Sequence, residues 1–131
     1  MVLKTRGFTL IEVLIVIAIV GVLASIVLAS LSSAQVRARD ASFKSTASSI
    51  QPGIIVCCDN LYSLDGMAPS DLICSGGDMN YPDSTAISAV TVDIDCQSDG
   101  TFQVTVTPGT MNTGICTGAV ITNEGAVFAG C

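Results

Sequence analysis

Residues 8–31 hold one charged side chain, Glu12, in a stretch that is otherwise apolar or small, and a short basic leader, Lys4-Thr5-Arg6-Gly7, precedes it. A run of this length spans a bilayer as a helix, which rises about 1.5 Å per residue. The helical pattern continues beyond it. From Phe8 to Gln51 a single helix would be about 65 Å long. The rest of the chain is too small to bury that length, so the N-terminal half must meet a membrane or other subunits. A carboxylate one turn into such a segment is costly to bury unless something positive meets it. The pattern therefore implies both a processing event after the leader and a partner for Glu12.

The 131 residues suffice for one small domain and an appendage. Small domains with modest cores usually need staples. All six cysteines, Cys57, Cys58, Cys74, Cys96, Cys116 and Cys131, follow the apolar segment. An even number behind an export signal predicts disulfides formed outside the cytoplasm. With no histidine and no Cys-x-x-Cys pair, zinc is not the expected use of these thiols, and no metal or other cofactor is assigned.

Charge is segregated along the chain. Every basic residue (Lys4, Arg6, Arg37, Arg39 and Lys44) lies in the first 44 positions, while nine of the 11 acids lie beyond Pro52. An anionic head repels phosphate backbones, so direct nucleic-acid binding by the head is not expected. Lys4 and Arg6 should keep the leader cytoplasmic and send the remainder outward.

Four stretches follow: residues 1–7 as leader, 8–31 as membrane segment, 32–58 as the amphipathic half of the same helix, and 59–131 as a disulfide-stapled head. Gly21, Ser25, Ala29 and Ser33 recur every four residues, forming a stripe of small side chains that lets helices approach closely. Beyond it, Val36, Phe43, Ala47, Ile50, Ile54 and Cys58 keep a helical period. Pro52-Gly53 is expected to kink the helix without ending it, because the apolar spacing continues to Cys58.

Residues 59–86 read as a loop closed by Tyr81-Pro82-Asp83. A hairpin is predicted next. One strand runs from Ala89 to Cys96 with Val90, Val92, Ile94 and Cys96 on one side; Ser98-Asp99-Gly100 turns; the return strand alternates Phe102, Val104 and Val106. A second hairpin, residues 116–122 and 126–131 about Asn123-Glu124-Gly125, would set Cys116 opposite Cys131 as a disulfide. Cys57 and Cys58 should reach different partners, Cys74 and Cys96, in an order the sequence leaves open. The fold class is α+β: one long N-terminal helix on a small antiparallel sheet. Asp93, Asp95 and Asp99 read as turn-forming and solvated carboxylates in preference to a calcium site. No catalytic constellation is present.

The run Arg6-Gly7-Phe8-Thr9-Leu10-Ile11-Glu12-Val13-Leu14, with the apolar residues after it, resembles the class III signal of type IV pilins and pseudopilins. That resemblance implies a membrane prepilin peptidase cutting between Gly7 and Phe8, and N-methylation of Phe8. It implies a single-pass precursor in the inner membrane, drawn by a pilus assembly machinery into an extracellular helical homopolymer. In the family, the glutamate matching Glu12 pairs with a subunit's N-terminal amine. The implied function is a structural pilus subunit serving adhesion, twitching motility or uptake, and not an enzyme. The chain departs from the family at Ala29, where many pilins carry proline. Nothing there forces the helix to break, although Gly21 and Ser25 could loosen it.

Two alternatives remain. One is a type II secretion pseudopilin. The other is a secreted or membrane-anchored disulfide-rich binding module, cut by ordinary signal peptidase after Ser32-Ser33-Ala34 to start at Gln35. Glu12 inside the apolar region argues against the latter.

Overall fold

The computed structural model describes residues 7–65, 68–96 and 99–131; the leader positions Lys4 and Arg6, and Ser98 of the expected turn, lie outside the described residues. The elements are one helix, α1 (Leu10–Asp59), and four strands: β1 (Ile87–Ile94), β2 (Gln103–Pro108), β3 (Gly118–Thr122) and β4 (Gly125–Ala129). A short 3-10 turn, Thr110–Asn112, lies between β2 and β3. The chain divides into two compact units between Gln35 and Val36.

The N-terminal unit is helical from Leu10 onward. Every large apolar side chain from Phe8 to Leu31 is exposed, none below 48%. Its serines do not interrupt the apolar surface, because each hydroxyl bonds back to its own helix. Ser25 Oγ donates to the Val22 carbonyl at 2.8 Å, Ser30 Oγ to Ile26 at 2.9 Å, and Ser33 Oγ to Ser30 at 3.1 Å. A hydroxyl satisfied in this way adds little cost in lipid or against another helix. The helix passes unbroken through Gly21 and Ala29. No proline interrupts it there, and its leucines and alanines are good helix formers among the β-branched Ile and Val.

In the head unit, Val36–Cys131, the helix presents Phe43, Ala47, Ile50, Ile54, Cys57 and Cys58 to one core. Steps of three and four residues keep these on a single stripe. The sheet supplies Ile87, Val90, Val104, Val106, Ala119 and Ile121 to the same cluster. Phe43 meets Phe128 edge to face with ring centroids 6.3 Å apart, and Lys44 Nζ lies 5.7 Å from the Phe128 ring.

Helix α1 continues through Pro52 to Asp59. Proline removes one helical hydrogen bond, the one that would reach the Ser48 carbonyl. Ser48 and Pro52 are both exposed, so water takes the freed carbonyl. Gly53 is buried, and a methyl group there would meet Ile73 Cδ1 at 3.0 Å and Met79 Cε at 3.3 Å. Its absence lets the following loop press against the helix.

The sheet is an antiparallel meander in the order β1-β2-β3-β4. β1 begins at Ile87, two residues before the sequence predicts, and its alternation fails at the far end. Val90 and Val92 oppose Val106 and Val104, but the register shifts between Val92 and Ile94. Ile94 is consequently exposed, not turned inward with Val90. The shift is a local bulge, which turns side chains out of strict alternation. Phe102, just ahead of β2, and Val104 and Val106 within it point inward as predicted. β3 and β4 are shorter than predicted. Pairing of Thr122 with Gly125 leaves Asn123-Glu124 as a two-residue turn, and Gly125 takes φ of 149°. Gln51 Nε2 on the helix donates to the Thr122 carbonyl at 3.0 Å and fastens that turn.

The loop after the helix is not structureless. Two isolated bridges, Leu64 with Cys74 and Leu72 with Asn80, fold it on itself. The open disulfide order is Cys57–Cys74 and Cys58–Cys96, with Cys116–Cys131 as the third bridge. The last bridge lies just beyond the strand ends, where Thr117 N–H donates to the Ala129 carbonyl at 2.9 Å.

Candidate processing and assembly site

Gly7, Phe8 and Thr9 precede the first helical residue, and Phe8 is 82% exposed. The Gly7-Phe8 peptide bond therefore lies in accessible, non-helical chain. By contrast, Ser32, Ser33 and Ala34 are inside an unbroken helix. A peptidase binds its substrate extended, so the first position is open to cleavage and the second requires unwinding.

Helix α1 starts with a reciprocal cap. Thr9 N–H donates to Glu12 Oε2 at 2.8 Å, and the Thr9 hydroxyl donates to the same oxygen at 2.7 Å. In return, Glu12 N–H points to Thr9 Oγ1 at 3.4 Å. This is a capping box: a threonine before the first turn and a glutamate three residues on satisfy each other's backbone donors. The negative side chain also faces the positive end of the helix dipole. Glu12 thus has a local task that its position in an apolar run does not reveal. Thr9 is a site residue that attention to charge alone passes over, although Thr-x-x-Glu ahead of an apolar run is the signal for it. Oε1 of Glu12 accepts no hydrogen bond among the described residues. One oxygen fixes the first turn, and the other is open to a further donor.

Gly21, Ser25, Ala29 and Ser33 are all exposed on the helix. Nothing lies within 4 Å of the position a Gly21 side chain would take. The stripe is a vacant surface on the N-terminal unit, as are the large apolar side chains around it.

Asp93, Asp95 and Asp99 do not converge. Asp93 Oδ2 accepts from the Thr105 hydroxyl, Asp95 Oδ1 from the Leu64 and Cys96 amides at 2.7 Å each, and Asp99 Oδ1 from Thr101 N–H at 3.0 Å. Among the described residues no group of carboxylates and thiols could hold a metal ion. The Thr101 hydroxyl and amide hold the Asp99 carboxyl below the usual aspartate range. The Thr85 hydroxyl and the Ala86 and Thr85 amides do the same for Asp83. Tyr81 goes the other way. Its buried hydroxyl has no hydrogen-bond partner among the described residues, and burial, helped by the Asp95 charge, pushes it up to about 12.

Asp40 is a structural carboxylate of the head that the sequence hides. Its Oδ1 accepts from Ile115 N–H at 2.7 Å and Cys116 N–H at 3.0 Å, drawing the segment before β3 onto the helix. Gly114 makes this approach possible, since a methyl group there would run into Asp40 Oδ1.

Comparison with known proteins singles out the N-terminal segment. No curated protein and no solved structure matches the chain. Residues 3–28 match the family model described as the prokaryotic N-terminal methylation motif. That motif implies processing by a prepilin peptidase and pilus assembly, and together with the apolar helix it fits a membrane-anchored precursor. Residues 3–28 are thus the class III signal peptide of type IV pilins, carried on an α+β chain of pilin-like architecture.

Proposed function

We propose that the chain is a structural subunit of a type IV pilus filament. A prepilin peptidase cuts between Gly7 and Phe8, the new amine is methylated, and residues 8–31 hold the subunit in the inner membrane until assembly. The filament forms through α1, with Gly21, Ser25, Ala29 and Ser33 as a close-packing face. The head, acidic beyond Pro52, is displayed outside for adhesion, motility or uptake. The chain's contribution is architectural, not catalytic.

The observation that carries this reading is the junction itself. An accessible Gly7-Phe8 bond stands one turn from a lone carboxylate, at the head of a helix whose large apolar side chains are exposed as far as Leu31. Cleavage creates a cation at Phe8, and methylation leaves it able to carry charge. The open Glu12 oxygen is a ready acceptor for that amine from its own chain or from a neighbour. In low dielectric such a pair is selective, because removing one partner strands a buried charge at a cost of about 3–5 kcal/mol. A membrane helix also explains why the serines bond inward.

N-terminal mass spectrometry of the expressed protein tests the reading. A mature chain beginning with N-methylated Phe8 is expected. A chain beginning at Gln35 would instead establish an ordinary exported module. Electron microscopy of sheared filaments then separates a long surface pilus from the short filament of a secretion pseudopilin.

A further inference from the structure

The head's carboxylates fall into two groups. Asp40, Asp83, Asp93, Asp95 and Asp99 each accept hydrogen bonds from the head itself. Asp59, Asp65, Asp71, Asp78 and Glu124 have side chains with no hydrogen bond or ion pair among the described residues. The four aspartates lie in one stretch, the end of α1 and the loop that Cys57–Cys74 ties to it, while Glu124 stands apart in the turn between β3 and β4. Asp59 closes a helix whose last turn has no basic residue, so a negative side chain stands at the negative end of the helix dipole. The fold does not neutralise this region.

The cations are at the other end. Arg37, Arg39 and Lys44 carry all the positive side-chain charge of the chain after residue 7. Arg37 is exposed without a partner among the described residues, Arg39 reaches only the Thr113 carbonyl at 3.4 Å, and Lys44 rests on the Phe128 ring. None forms an ion pair among the described residues. Along the helix Asp59 stands about 22 Å beyond Lys44 and about 33 Å beyond Arg37, more than two Debye lengths at physiological salt, so the two ends of the helix are largely screened from each other within one head.

We infer that the basic collar at Arg37, Arg39 and Lys44 docks against the acidic loop, Asp59 to Asp78, of a second copy of this chain. The inference rests on the filament reading, which orients all copies the same way through residues 8–31. Parallel copies in register set collar against collar and loop against loop, a like-charge arrangement that interfaces avoid. A stagger along the axis by roughly the collar-to-loop spacing, about 20–30 Å, sets opposite charges together. The charge pattern therefore selects the stagger, while the apolar helix supplies the affinity.

Zero-length carbodiimide coupling of wild-type filaments gives the direct test. Lys44 is the only lysine after residue 7. Peptide mapping should find Lys44 joined to Asp59, Asp65, Asp71 or Asp78 of another copy. Coupling only to other acids, or none, overturns the inference. Charge reversal gives a second test. Arg37→Glu with Arg39→Glu, or Asp59→Lys with Asp78→Lys, should each lower filament yield about tenfold, and the four changes together should restore it to within about threefold. A fourfold variant that melts like wild type yet does not assemble overturns it as well. N-terminal mass separates the two readings. If methylated Phe8 is absent from wild type, the pilus reading fails; if it is present and the collar variant assembles normally, only the docking inference fails.

Discussion

Replacing Asp40 tests whether the head depends on a clamp between its helix and the segment entering β3. The carboxylate takes two backbone donors, Ile115 N–H at 2.7 Å and Cys116 N–H at 3.0 Å. The two do not cost the same to lose. Ile115 is exposed, so water replaces the carboxylate there; Cys116 is 4% exposed, and its amide is left without an acceptor. Stranding a buried donor costs about 1–3 kcal/mol, and a hydrogen bond to a charged group contributes about 1.5–3 kcal/mol. Asp40→Ala should therefore destabilise the head by about 2–3 kcal/mol, which lowers the melting temperature of a domain this size by about 10 °C. Asp40→Asn keeps an acceptor oxygen and should cost about 1 kcal/mol. Thermal circular dichroism of the mature chain in detergent, with disulfides intact, measures both. A double-mutant cycle sharpens the test. Gly114→Ala alone must push against the carboxylate, since its methyl group would run into Oδ1. In the Asp40→Ala background that clash is gone, so the second change should cost at least about 1 kcal/mol less than it does alone. Simple additivity, an Asn variant as unstable as the Ala variant, or an Ala variant within about 2 °C of wild type would each refute the clamp.

The remaining predictions concern the bridges, the pH limits and Glu12. Serine at both Cys58 and Cys96, 38 residues apart, should cost about 4 kcal/mol in urea unfolding, against about 3 kcal/mol for Cys116 with Cys131, 15 apart; the reverse order would contradict a chain-entropy origin. Asp83 and Asp99 titrate below their unfolded value of about 3.9, so their contribution is present above that pH and is lost as the pH falls through the folded values. Asp83→Asn with Asp99→Asn should flatten the acid limb of the stability profile below about pH 4, and an unchanged limb would exclude both groups. Tyr81, raised to about 12, keeps its proton in the folded state while the unfolded chain ionises, so stability should fall as pH rises from about 10 to about 12. Tyr81→Phe should remove that fall and cost little at neutral pH, because its hydroxyl has no partner among the described residues. Glu12→Ala should leave the melting of the head within about 1 °C of wild type while filaments fail to form; normal filament yield would remove Glu12 from assembly.

What could be read from the chain, and what could not, divides along local against tertiary information. The long helix was legible because its apolar periodicity is internal to one segment, and the second hairpin because Asn123-Glu124-Gly125 announces its own turn. Cys116 and Cys131 were legible through the strand register that this turn imposes. The partners of Cys57 and Cys58 were not, since adjacent cysteines have the same spacing pattern and only the folded loop distinguishes them. Ile94 departs from its predicted face because alternation assumes an unbroken ladder, and the shift after Val92 is a property of two strands together. Asp40 gave no signal, because its partners are amides 75 and 76 residues away. Glu12 is the instructive case. A glutamate in an apolar run implies a cation to meet its charge. The Thr9-x-x-Glu12 spacing was equally local, yet its meaning is different: Oε2 is used to start the helix before any partner arrives. The carboxylate is consequently held at the helix entrance by two hydrogen bonds, with Oε1 unengaged among the described residues. A preorganised acceptor loses less entropy on meeting an amine than a free side chain would, which favours pairing at this position over any other in the apolar run.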